Sequence, residues 1–266
     1  LDAIESVARA FEAPYIVNFA AQSMVAQSWA NPDHWFMTNT VSMVKLHERV
    51  RKFPFLKKYV HVSTPEVYGS CSGLVPETAP FNPSTPYAAS KAACDLSLLT
   101  FKQAYDFPVV FTRAANVAGP AQQLFRIIPK TVLCILTGQK LRLEGGGHSV
   151  RSFIHMEDVV EGTIRIARDG TPGEAYHLST DRNQSIRDVV TEVCGQMNVN
   201  FEDHVTTTPG RLGQDAAYLL DCTKIRTQLG WKSLKTVENI VAETIDWVTK
   251  NLQTLRAQPA DYIHKA

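Results

Sequence analysis

The chain has 266 residues, of which 44% are hydrophobic and 20% charged, enough to bury a sizeable core as one large α/β domain or two joined lobes. Its 27 Lys and Arg against 26 Asp and Glu leave a net charge of +1, which excludes the strong positive field of a nucleic-acid or anionic-membrane binder. The longest apolar runs, such as Val109-Val110-Phe111, fall far short of the ~20 residues that span a bilayer, so no membrane partner is expected.

In chain order, Asp2 to Glu12 places Ile4, Val7, Ala8 and Phe11 at helical spacing, and Tyr15 to Ala21 is an apolar run of strand length. Asn31-Pro32-Asp33 supplies an N-cap, a proline at the first helical position and an early acid for a helix reaching about Arg51. Tyr59 to Ser63 is the next strand, Thr85-Pro86 opens a helix running to Tyr105, and Val109 to Arg113 is a third strand, followed by a loop through Gly119-Pro120. This alternation predicts an α/β fold, a Rossmann-like parallel sheet with helices on both faces, over residues 1–120. Residues 121–266 are expected to form a smaller, mixed lobe, with some segments returning to the sheet domain. It holds helices at Ile127 to Leu136, from Glu157, at Ile186 to Met197, Thr223 to Leu229 and Val237 to Asn251, with a strand near Ala175 to Leu178. Gly145 to Gly147 lacks the Lys-Ser/Thr of a phosphate loop and reads as a turn, Trp231 and Trp247 read as packing residues, and Gln258 to Ala266 as an extended tail.

The five cysteines, Cys71, Cys94, Cys134, Cys194 and Cys222, never form a C-x-x-C pair, which argues for reduced thiols and a cytoplasmic protein. The eight histidines show no metal-ligand spacing, and His155 beside Glu157 and Asp158 reads as part of a helix start, so no metal is expected.

The strongest chemical signal is Tyr87-Ala88-Ala89-Ser90-Lys91, whose i, i+4 spacing sets a phenol and an ammonium on one helix face. A phenol of pKa about 10 becomes a base at neutral pH only if its anion gains roughly 4 kcal/mol, which a fixed cation helps to supply. Ser63-Thr64-Pro65-Glu66-Val67-Tyr68-Gly69 follows directly on a strand, which sets a hydroxyl and a carboxylate where open α/β sheets build their sites.

The ordered set NFAAQS (18–23), TNT (38–40), STPEVYG (63–69), PSTPYAASKAACD (83–95), RAANVAGP (113–120), RSFIHMEDV (151–159) and RLGQDAAYLLDCTKI (211–225) covers nearly the whole chain. It resembles the extended short-chain dehydrogenase/reductase superfamily, and within it most closely the nucleotide-sugar 4,6-dehydratases. The resemblance implies NAD as cofactor and a nucleotide-diphosphate sugar as partner. It implies that Tyr87 takes the proton from the sugar 4-hydroxyl, Lys91 holds the nicotinamide ribose, and Thr64 hydrogen-bonds the same hydroxyl. Ala20, Ala21, Asn39 and Ser63, with Tyr87 and Lys91, match positions lining NAD; Ser23, Thr64, Asn116, Arg126, Arg151 and Arg211 match substrate positions, the arginines suiting phosphate through their planar fork. Once C4 is a ketone the C5 proton is acidified, so Glu66 removes it while the 6-hydroxyl leaves and hydride returns to C6.

Two departures stand out. Pro65 replaces the acid that usually precedes this glutamate, so either Glu66 serves as both base and acid or the product differs. The 14 glycines contain no G-x-G-x-x-G or G-x-x-G-x-x-G, so the family's first βαβ unit is absent from this chain. Roughly 50–65 further residues carrying strand, glycine turn and helix are therefore expected upstream. A 4-epimerase, a uronate decarboxylase, a dehydratase giving an unsaturated sugar, and a degenerate dehydrogenase-like binding protein stay open as alternatives. A homodimer is expected through the helices at Pro32 to Arg51 and Pro86 to Tyr105, using Phe36, Val44, Leu96 and Leu99.

Overall fold

The computed structural model describes residues 1–71, 73–209 and 219–264. Helix α1 (Asp2–Ala10) leads into β1 (Tyr15–Asn18). Then α2 (Pro32–Phe36), a π-helical turn (Met37–Val41) and α3 (Ser42–Val50) follow one another without a break before β2 (Lys58–Val62). The short β3 (Leu74–Val75) precedes α4 (Pro86–Tyr105), β4 (Val109–Ala114) and β5 (Asn116–Ala118). The rest comprises α5 (Ile127–Leu136), β6 (Leu141–Glu144), β7 (Val150–His155), α6 (Met156–Asp169), β8 (Ala175–Leu178), β9 (Asn183–Ser185) and α7 (Ile186–Gln196). After these come α8 (Phe201–His204), β10 (Val205–Thr208), β11 (Leu219–Leu220), α9 (Thr223–Leu229), α10 (Val237–Lys250) and α11 (Leu252–Leu255).

A four-stranded sheet in the order β1-β2-β4-β8, parallel throughout, forms the frame. Its strands are apolar at successive positions because both faces are covered. Tyr59, Val109 and Phe111 point to the side of α3 and α4, against Met43, Leu46 and Leu98; Val60 and Val110 point to the other side, against Ile166 of α6 and Ile225 of α9. Each such aliphatic side chain contributes about 1.5–3 kcal/mol on burial. The helices start where their side chains cap them. Thr85 accepts a hydrogen bond from the Ala88 N–H with Pro86 behind it, and Ser185–Asp188 and Thr236–Asn239 form reciprocal capping boxes.

The second lobe packs α5, α7 and α10 around Val132, Phe153, Val193, Ile240 and Val241, with β5-β7-β9 as a small mixed sheet and β6 paired to β10. α6, β8 and α9 return to the large sheet.

Some expectations are revised. Asn31 precedes α2, but its side chain makes no capping bond. β1 ends at Asn18 rather than Ala21, because the Asn18 side-chain oxygen accepts the Ala20 N–H at 3.0 Å and turns the chain out of the sheet. The loop before Gly119-Pro120 contains β5, and RSFIHMEDV contains all but the first residue of β7. The tail up to residue 264 doubles back: Lys130 donates to Asp261 at 2.7 Å and the His264 ring stacks on Trp35 at 5.1 Å.

Candidate active site

Because β1, β2, β4 and β8 all run the same way, their carboxyl ends share one edge of the sheet, and the chain leaving β2 builds the site there. Ser63 and Thr64 leave the strand extended, and Pro65–Tyr68 closes a 3₁₀ turn in which the Thr64 hydroxyl accepts the Glu66 N–H at 3.3 Å. A cavity of about 750 Å3 opens over this turn. Of the residues singled out by sequence, Ser23, Ser63, Thr64, Glu66, Tyr87, Asn116, Arg126 and Arg151 line it. Lys130, Arg142 and Glu144 line it too and were missed. The signal for the last two was the alternation Leu-Arg-Leu-Glu, in which Leu141 and Leu143 are buried and the charged residues face out.

Tyr87 begins the first turn of α4, with its N–H donating to the Ser28 hydroxyl at 3.1 Å. Burial raises its pKa above the ordinary phenol value, the nearby Glu66 carboxylate adds to the rise, and a hydrogen bond with Thr64 and the Arg126 guanidinium oppose it. The phenol is therefore protonated until further positive charge arrives.

Lys91, one turn along α4, lies behind the cavity wall. Its ammonium is buried, donates to the Val62 carbonyl at 2.8 Å and has its pKa lowered by burial, a lowering that Asp95 opposes. Asp95 is fully enclosed; it accepts from the Ser63 hydroxyl at 2.7 Å and from Arg113 at 2.9 Å. Arg113 also donates to the Tyr68 hydroxyl at 2.5 Å, which in turn donates to His177 at 2.8 Å.

The π-helical turn brings Asn39 against the loop before the cavity. Its amide accepts the Gln22 N–H at 2.8 Å and donates to the Gln22 carbonyl and the Ser90 hydroxyl, both at 3.0 Å. Ala20 and Ala21 lie on the same loop and, like Asn39 and Lys91, are not part of the cavity lining. Arg211 lies outside the described residues.

The donor set fits the nicotinamide ribose end of a dinucleotide. The Lys91 ammonium has three N–H groups; Val62 takes one and His61 lies beside it, which leaves a donor for a ribose hydroxyl. The small side chains of Ala114 and Ala115 on the cavity wall leave room for a flat ring.

A family model described as GDP-mannose 4,6 dehydratase matches residues 1–244. The chain is similar to a probable dTDP-glucose 4,6-dehydratase of Sinorhizobium fredii, with 31% identity over 265 residues, covering 94% of this chain and 76% of the relative. It is also similar to the dTDP-glucose 4,6-dehydratase of Streptomyces antibioticus, with 34% identity over 253 residues, covering 94% and 75%. Among solved structures, DesIV, a dTDP-glucose 4,6-dehydratase from Streptomyces venezuelae with NAD and TYD bound, superposes with a TM-score of 0.90 at 31% identity, covering 95% of this chain and 78% of that one.

The buried layer behind the site makes stability depend on pH. Burial first, then a neighbouring cation, pushes His47 and His177 down to about 3 and His61 well below the ordinary 6.5. Below pH 6.5 the unfolded chain binds protons that the folded chain refuses, so stability is lost as pH falls. The loss approaches about 1.4 kcal/mol per pH unit for each histidine and roughly 4 kcal/mol per unit for all three. Urea unfolding between pH 7.5 and 5 should show this fall, and His47→Leu should remove about one third of it; stability that is flat down to pH 5 would contradict the assignment.

Proposed function

The chain belongs to the GDP-mannose 4,6-dehydratase family, and we propose that it converts a nucleotide-diphosphate hexose to the 4-keto-6-deoxy sugar by NAD-dependent 4,6-dehydration. The observation that carries this reading is that Thr64, Glu66 and Tyr87 face one cavity at the carboxyl end of β2, with Arg126 and Arg151 on its wall. Bound NAD supplies oxidation at the sugar C4 and the hydride that returns to C6. The Tyr87 oxygen takes the proton of the 4-hydroxyl, and Thr64, already hydrogen-bonded to it, orients the same hydroxyl. With a ketone at C4, the Glu66 carboxylate removes the acidified C5 proton as the C6–O bond breaks. Pro65 has no proton to give, so Glu66 passes the proton it has gained to the departing hydroxyl, which leaves as water; when hydride adds to C6, C5 takes its new proton from Glu66 recharged from solvent.

Arg126, Arg151 and Asn116 hold the diphosphate, Ser23 and Thr64 contact the substrate, and Arg211 is assigned to the same task from its motif. Ser63 and Lys91 hold the nicotinamide ribose, and Asn39 fixes the loop carrying Ala20 and Ala21 along the cofactor. The sheet half thus carries the redox chemistry and the second lobe the nucleotide end. Free cysteines throughout support a reducing, cytoplasmic setting. Phe36, Leu96 and Leu99 are exposed on α2 and α4, with Val44 half-buried on α3, which supports a homodimer through this face.

Incubated with NAD and a panel of nucleotide hexoses, the native protein should give a product lighter by one water; an unchanged mass would indicate epimerisation and loss of carbon dioxide a decarboxylase. Tyr87→Phe should keep the fold and lower turnover by about 10²–10⁴-fold, the span general acid–base groups contribute; a near-parental rate removes Tyr87 from the role. Light scattering at micromolar concentration should give twice the chain mass for the parent and the single chain mass for Leu96→Asp combined with Leu99→Asp. A monomeric parent would contradict this interface.

A further inference from the structure

The dehydration does not use His61 directly, yet this residue occupies a singular place. It sits on β2 with no exposed surface, its Nε2 3.4 Å from the Lys91 ammonium and 3.5 Å from an Asp95 oxygen. Arg113 and Ser63 both bind the other Asp95 oxygen, and the one facing His61 has no hydrogen-bond partner among the described residues; of the two neighbours of Nε2, Lys91 is the one in hydrogen-bond geometry. The groups facing Lys91 are His61 from β2, Asp95 and Cys94 from α4, with His47 from α3 and Arg113 from β4 behind them. Two cations and one carboxylate leave one positive charge in excess in a dry layer, so Lys91 depends on neutral acceptors. Val62 supplies one from the backbone; the only other contact within reach among the described residues is His61.

An imidazole Nε2 serves one neighbour at a time: with a lone pair it accepts from Lys91, with a proton it donates to Asp95. Its Nδ1 has no hydrogen-bond partner among the described residues in either case. Burial and the Lys91 charge both keep the ring neutral, as an acceptor must be.

We infer that His61 is a positioning residue for the reaction: its neutral imidazole accepts a hydrogen bond from Lys91 and holds the ammonium behind Tyr87, aimed at the nicotinamide ribose. The inference rests on the dehydratase reading for its kinetic consequence alone. Asp95 and Arg113 form the charged frame, and His61 fixes where within it the mobile lysine head rests.

The test compares His61→Leu with His61→Gln in the native protein, glutamine carrying an amide oxygen close to the place of Nε2. His61→Leu should fold with an unfolding midpoint at or above the parent's and keep KM for the nucleotide sugar. Its kcat should fall on the order of tenfold, with the alkaline limb of the pH profile moved to lower pH, because the ammonium has lost an acceptor. His61→Gln should restore most of the rate and the limb. In ligand-free protein the Lys91 side-chain resonance, followed by NMR against pH, should show the same downward move in His61→Leu and its reversal in His61→Gln. That readout needs no turnover, so a protein that dehydrates no hexose defeats the functional reading and leaves this one standing. An unmoved Lys91 midpoint in His61→Leu, or equal losses in the two variants, overturns it.

Discussion

Taking the Lys91 ammonium out of water is the constraint on which the rest of the site depends. An isolated buried charge is costly, and the structure meets the cost with groups drawn from different elements. The Val62 carbonyl is available because β2 ends there, Asp95 stands one helical turn beyond on α4, and Arg113 reaches from β4 to pair with that carboxylate. Ser63 is fixed by the same carboxylate, so one buried layer orients two of the groups assigned to the cofactor. The neutrality of His47, His61 and His177 follows from the same layer, since each is enclosed and each faces a cation.

The buried layer does not by itself make a base of Tyr87, whose pKa burial raises. Tyr87 lines the cavity, where Thr64 and Arg126 oppose the rise while Glu66 and Asp95 add to it, so the remaining positive charge must come with the bound ligands. The second lobe adds the side chains proposed to bind the diphosphate, with Arg126 preceding α5 and Arg151 on β7, and both line the same cavity as Tyr87 and Glu66.

Elements whose residues agree locally were legible from sequence: α4, with Thr85-Pro86 at its start, and α5, α9 and β8, whose bounds needed no revision. The Tyr87/Lys91 spacing and the STPEVYG turn were legible for the same reason, each lying within one element or directly after it. What escaped depends on distant partners. β6 exists because β10 pairs with it, and β5 because β7 lies alongside; the Leu-Arg-Leu-Glu alternation of β6 is present but only four residues long, and β5 has three, too short to mark a strand unaided. The part played by His61 escaped too: within a strand it reads as one polar residue, and its meaning comes from Lys91 thirty positions on. The π-helical turn at Met37–Val41 left no mark in the apolar pattern, yet it sets Asn39 against Gln22.

The central claim is that Glu66 drives elimination from a 4-keto sugar while hydride moves within the same molecule. Turnover in heavy water, with the product read by NMR and mass, tests it most directly. One solvent deuterium at C5 and none at C6 is the outcome expected of this chemistry. A product with no deuterium at C5, or with deuterium at C6, would contradict it.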